Sequence, residues 1–263
     1  MAMTDARPAR GRKAAKSGVL HETWEIVKTI VIALLVALLL RVFLFQPFTI
    51  PSASMEPTLL EGDYIIVSKY AYGYSRHSAP FSPPVMQGRV LERSPQRGDI
   101  AVFKLPRDGR TDYIKRVIGL PGDRVQVREG RLFVNGEAVK RQSAGQGQIE
   151  SPFGFERSVQ RYRETLPGSN KAFLTNDLGP DGEVDDTGVY IVPRGHFFMM
   201  GDNRDNSVDS RYPPEFGVGY VPAENLVGKA ELILFSWHPE AELFKPWTWF
   251  TEVRPSRFFT PLK

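Results

Sequence analysis

Asp112-Tyr-Ile-Lys-Arg-Val-Ile-Gly-Leu-Pro-Gly-Asp-Arg-Val-Gln-Val127 is the stretch whose reading decides the fold class. Two runs rich in β-branched residues flank Pro-Gly-Asp at 121–123, a turn signal, so strand, turn and strand are expected in succession. The same texture extends outward in both directions. Residues 64–67, 99–103, 132–134, 189–192, 196–200 and 230–237 are further short β-rich runs. Glu-Gly-Asp (61–63), Arg-Gly-Asp (97–99) and Asn-Gly (135–136) punctuate them, the last predicting a tight hairpin. The chain is therefore expected to be mainly β. Residues 74–96, rich in Pro and Ser, read as an exposed loop. Residues 141–188 are polar, Gly-rich and irregular, with an acidic stretch at 181–186. They read as an elaborated second lobe or loop region, within a β-rich lobe at 119–195 inserted into a β-domain of 46–118 and 196–263.

Upstream the chemistry changes. Residues 29–40 are apolar without interruption, bracketed by Lys28 and Arg41 and extended by Val42-Phe-Leu-Phe45. Roughly 20 helical residues cross a bilayer core, and this run meets that length. A buried core helix would carry some polar positions, and a cleaved signal peptide would be followed by a small-residue site, which Arg-Val-Phe-Leu-Phe-Gln-Pro-Phe lacks. One uncleaved membrane helix is expected at 23–45. The tail before it, 1–22, is basic (Arg7, Arg10, Arg12, Lys13, Lys16), its first twenty residues read as disordered, and it should remain in the cytoplasm, leaving everything after the span outside. That tail accounts for much of the net charge of +4, so no nucleic-acid face is implied. The chain has no cysteine and four scattered histidines, which removes disulfides and thiol chemistry and argues against a metal site or other cofactor. Near the C-terminus Phe244, Trp247, Trp249, Phe250, Phe258 and Phe259 read either as core or as a surface resting on lipid.

Three segments carry chemistry. Ile50-Pro-Ser-Ala-Ser-Met-Glu-Pro-Thr-Leu59 sets two serines between prolines just past the span, a constrained turn that can aim a hydroxyl outward. Lys115 lies in a β run, where alternation puts it on the face of Tyr113 and Val117, with Ile114 and Arg116 opposite. If buried, its amine loses basicity and becomes available as a base at a cost of roughly 3 kcal/mol; the local pattern also fits a surface lysine. Gly201-Asp-Asn-Arg-Asp-Asn-Ser-Val-Asp-Ser-Arg211 reads as a polar turn, and it lacks the final Glu of an EF-hand calcium loop.

Taken together, 41–60, 98–104, 112–123 and 201–211, in this order behind a span, resemble bacterial type I signal peptidases. The resemblance implies that Ser54 is the nucleophile and Lys115 its general base. It implies an oxyanion hole from the Ser52 hydroxyl and the Ser54 N–H, and a Ser207 hydroxyl that orients the lysine amine. Asp209 with Arg211, and Asp202, match supporting groups. Phe48, Ile50, Met55, Leu59, Tyr113 and Ile114 are expected to line shallow pockets for small side chains. Ala53 departs from the family, where glycine is frequent. The implied activity is removal of signal peptides from secretory preproteins after Ala-x-Ala, at the bacterial inner membrane and near the secretion translocon, with lipid as the other partner. Two rivals stand beside it. A soluble self-cleaving Ser–Lys protease of the repressor type is opposed by the span, and an envelope β-domain that only binds partners predicts no effect of removing Ser54 or Lys115.

Overall fold

The computed structural model describes residues 12–80, 82–84, 86–150, 156–239 and 248–262. It forms two units, Met1–Arg41 and Val42–Lys263. The first is helical: α1 runs Arg12–Phe43, and its stretch His21–Phe43 is long and apolar enough to cross a membrane, with no part of it buried by protein. A helix suits lipid because it satisfies its own backbone hydrogen bonds. Two expectations are corrected here. Helix extends back to Arg12 into the stretch read as a disordered tail, and it ends at Phe43, before Phe45, which already opens a strand. Pro47, without an N–H to donate, favours extended chain over helix at this point.

The second unit is mainly β, as the punctuation of the sequence predicts. In chain order the strands begin with β1 (Phe45–Thr49), β2 (Asp63–Ser68), β3 (Ile100–Lys104), β4 (Asp112–Gly119) and β5 (Arg124–Arg128). There follow β6 (Arg131–Val134), β7 (Glu137–Ala138), β8 (Lys140–Glu150), β9 (Glu156–Thr165) and β10 (Ala172–Asp177). The last are β11 (Tyr190–Ile191), β12 (His196–Met200), β13 (Val221–Pro222), β14 (Leu226–Ser236) and β15 (Thr260–Pro261). An eight-stranded sheet runs β1-β2-β14-β3-β4-β12-β13, with β15 joined to β14. The strands between β4 and β12 form two smaller sheets, β10-β9-β8 and β11-β5-β6-β7.

Three similar turns shape the strand entries. In each, a Gly at positive φ (Gly62, Gly98, Gly122) precedes an Asp whose N–H bonds back to the carbonyl three residues earlier. The Asp carboxylate then accepts the N–H of that same residue: Leu60 to Asp63 at 2.8 Å, Gln96 to Asp99 at 3.0 Å and Leu120 to Asp123 at 2.6 Å. Each carboxylate also meets a cation, Arg257, Lys171 and Arg97 respectively, which offsets the cost of its burial. The repeated Gly-Asp of the sequence is thus a single structural device used three times.

Two stretches differ from their reading. Residues 74–96 are not simply exposed: Ser75, His77 and Ser78 are buried. Cations tie the stretch down by donating to backbone carbonyls, Lys69 to Ser78 at 2.5 Å and Arg89 to Gly73, Ala223 and Leu226 at 2.6 to 2.9 Å. Most of the region read as irregular is the antiparallel sheet β8–β10. β8 and β9 are polar on both faces over most of their length, which hides the two-residue alternation that marks a half-buried strand.

Candidate active site

Ser54 lies in a single 3₁₀ turn, Ala53–Met55, between β1 and β2. Met55 and Leu59 are wholly buried and root this turn in the apolar cluster formed by Ile50, Ile65, Val102 and Ile114. Lys115 stands on β4, opposite Ala101 of β3, with strands on both sides of it in the sheet. The fold brings the two residues together across 61 positions: Lys115 Nζ donates to Ser54 Oγ at 2.6 Å. Lys115 is only 4% exposed, and burial is the main reason its pKa falls from 10.5 to about 8. Asp209 and Asp202 pull it back upward, and Arg211 pushes it lower. Burial prevails because both acids are committed to arginines.

Those commitments define the surroundings. Arg116, alternate to Lys115 and fully buried, grips Asp202 in a fork, Nε to Oδ1 at 2.7 Å and NH2 to Oδ2 at 2.6 Å. Thr58 Oγ1 donates to the same Asp202 oxygen at 2.6 Å, linking the pair to the chain just past Ser54. Asp209 receives Arg211 Nε and NH2, each at 2.9 Å. Burial works to raise the Asp209 carboxyl, and the Arg211 guanidinium overrides it, holding the group below the ordinary carboxylate range. Asn203 closes the arrangement, its N–H reaching Ser54 O at 3.2 Å and its Nδ2 reaching Ala53 O at 3.0 Å. At Gly201 a Cβ would sit 2.4 Å from Ser54 O and 2.3 Å from Ser207 Oγ, so only glycine allows the 201–211 loop this close.

Over residues 23–237, most of its length, the chain matches the family described as Signal peptidase, peptidase S26. It belongs to that family. Signal peptidase I of Rickettsia typhi is 39% identical over 86% of this chain and 89% of its own. That of Rickettsia akari is 36% identical over 98% of this chain and 97% of its own. A solved signal peptidase I from Enterococcus faecalis V583 has 28% identity and a TM-score of 0.29, covering 52% of this chain and 97% of that one.

Within this signal-peptidase frame the other residues singled out in the sequence fall as follows. Ser52 Oγ lies 3.4 Å from Ser54 Oγ and is exposed. Among the described residues no hydrogen bond joins Ser207 to Lys115; its hydroxyl donates to Asp209 Oδ2 at 2.9 Å instead. A carboxylate is a strong acceptor for a hydroxyl proton, and Asp209 lies two residues along the same loop. Phe48, Ile50, Met55, Leu59 and Ile114 gather in one cluster, but Ile50, Met55 and Leu59 are closed to solvent and form a floor. Tyr113 is set apart from them by strand alternation and packs with Phe103. Of the C-terminal aromatics, Phe244, Trp247 and the Trp249 side chain lie outside the described residues. Phe250 and Phe259 are exposed, and Phe258 is half-buried near Trp237.

Sequence reasoning gave no role to Arg116, Thr58 or Asn203. Asn203 stood in plain view within the polar run, whereas the partner of Arg116 lies 86 residues away. Asp202→Ala is expected to lower stability by about 3 to 5 kcal/mol, because it strands the Arg116 cation in the interior. Urea unfolding measures it, and a loss comparable to a surface substitution would remove this role for the pair.

Proposed function

We propose that the protein is a membrane-anchored endopeptidase that removes signal peptides from secretory preproteins, with Ser54 as nucleophile and Lys115 as general base. The observation that carries this reading is the 2.6 Å contact between the Ser54 hydroxyl and a buried amine whose pKa is about 8. A neutral amine takes the hydroxyl proton as Ser54 Oγ attacks the scissile carbonyl. The resulting oxyanion is held by the Ser54 N–H and the Ser52 hydroxyl. The Lys115 ammonium returns the proton to the departing amine as the C–N bond breaks, leaving an ester on Ser54. Water, deprotonated by the same amine, then hydrolyses the ester and frees the signal peptide's new carboxylate.

Family membership supports signal peptides as the substrate. Apolar packing of Ile50, Met55, Leu59 and Ile114 beneath the Ser54 turn would leave room only for small residues before the cut, which would give the Ala-x-Ala preference. The helix at His21–Phe43 would hold the site beside the membrane in which signal peptides reside, close to the translocon that delivers them. With the basic N-terminal segment in the cytoplasm, Ser54 works on the outer face. The exposed Phe250 and Phe259 would rest on lipid.

The test is incubation of the detergent-solubilised chain with a preprotein carrying an Ala-x-Ala site. Cleavage after the second alanine is expected, and a folded enzyme that leaves the preprotein intact would turn attention to a binding role. Ser52→Ala is expected to reduce kcat by about 100-fold with KM little changed, as for loss of one oxyanion donor. An unchanged kcat would remove Ser52 from the oxyanion hole.

A further inference from the structure

We infer that Glu164, on the second sheet, is a positioning residue for Ser54, acting through Arg204 and Asn203. Glu164 lies on β9 and is 1% exposed. It receives a fork from Arg204, NH2 to Oε2 at 2.6 Å and NH1 to Oε1 at 3.3 Å, with both side chains buried. Arg204 begins the 3₁₀ turn Arg204–Asn206, and the residue capping that turn is Asn203, the one that holds the carbonyls of Ala53 and Ser54. Arg204 Nε also donates to Gly201 O at 3.2 Å, and its own carbonyl accepts from Arg211. One carboxylate on β9 therefore braces both ends of the short stretch that grips the nucleophile turn. A second strand adds to it: Asn176 of β10 donates its N–H to Asp202 O at 2.9 Å.

No described hydrogen bond from β8–β10 reaches Ser54 or Lys115 directly; the sheet approaches the site through hydrogen bonds to the 201–206 stretch and through Phe173, which lies against the Arg116 guanidinium. The contact it tunes is sensitive, since a misplacement of about 1 Å can cost about 100-fold in rate. Loss of Glu164 would let the Asn203 grip drift and lengthen the approach between Ser54 and Lys115. Among the described hydrogen bonds none joins Glu164 or Arg204 to Ser52, Phe48 or Ile114, so substrate binding would be spared.

The experiment compares wild type, Glu164→Gln and the double variant Glu164→Met with Arg204→Met, all as full chains in detergent, on the Ala-x-Ala preprotein. The double variant replaces both members of the fork by apolar groups of similar length, an exchange that commonly leaves a fold intact, and Arg141, 3.7 Å from Glu164, keeps its pairing with Asp177. In both variants, measured where circular dichroism shows them folded, kcat is expected to fall about tenfold or more with KM within about twofold. A folded double variant with wild-type kcat, or a loss confined to KM, would overturn the inference and leave the pair merely structural. Should neither fold, Glu164→Asp, which keeps the charge on a shorter stem, decides by the same split. The inference rests on Ser54 as nucleophile. A wild type that does not cleave, or a Ser54→Ala variant that does, would sink that reading; a cleaving wild type with an unaffected double variant sinks only this one.

Discussion

Ser54→Ala is expected to reduce preprotein cleavage by about 10⁴-fold or more, because loss of the proposed nucleophile would remove the covalent route and leave only binding and the oxyanion donors. The fold should survive. The substitution deletes one hydroxyl from a turn rooted by Met55 and Leu59, and it leaves Lys115 without its hydrogen-bond acceptor. A stability change of about 1 to 3 kcal/mol is the scale for such a buried group. Substrate binding should persist, so the variant is expected to trap uncleaved preprotein, which a pull-down would detect. Residual cleavage at the same bond within about tenfold of wild type would mean that another group attacks the carbonyl.

Lys115→Met is expected to abolish cleavage to a similar degree and, at the same time, to make the protein more stable at neutral pH. The amine has a pKa of about 8 in the fold and 10.5 when exposed. Below pH 8 both folded and unfolded chains carry the proton, and the fold bears the whole penalty of a buried cation, about 3 kcal/mol for a difference of this size. Between pH 8 and 10.5 the folded chain has lost the proton while the unfolded chain retains it, so wild-type stability rises with pH through that window. Methionine has no proton to bind. Its advantage should therefore be greatest below pH 8 and shrink above it, read from urea midpoints of the two proteins across the range. Equal stability at every pH would mean that Lys115 is not held in a desolvated state. The same pKa governs activity: wild-type kcat/KM should rise tenfold per pH unit below 8 and level above it, as the neutral base accumulates. A profile flat from acid to neutral pH would exclude the amine as base.

These two effects share a cause. On the proposed mechanism the burial of Lys115 without an ion-paired acid is what makes its amine a base, and that same burial weakens the fold. Asp209 and Asp202 are close enough to raise the amine's pKa, yet Arg211 and Arg116 occupy them. Loss of either arginine would free a carboxylate to stabilise the ammonium.

Much of this protein was legible from residues alone. An uninterrupted apolar run needs no tertiary context to be read as a span, since its length is set by the bilayer. The Gly-Asp turns and β-branched runs marked the strands because their conformations are local: a positive φ at Gly62, Gly98 and Gly122, and an Asp that bonds back three residues. Local pattern could also place Lys115 on a strand face. What it could not supply was whether that face was covered. The Ser54 contact spans 61 residues and the Arg116–Asp202 pair 86, so burial and partner follow only from which strands become neighbours. The same limit explains β8 and β9, whose polar strands lack alternation, and Ser207, whose hydroxyl found Asp209 rather than the lysine. Sequence determined the strands whose turns and alternation are local and nominated the candidate groups; tertiary structure decided which charges are desolvated and which are paired, because desolvation depends on what packs over a group rather than on what adjoins it in the chain.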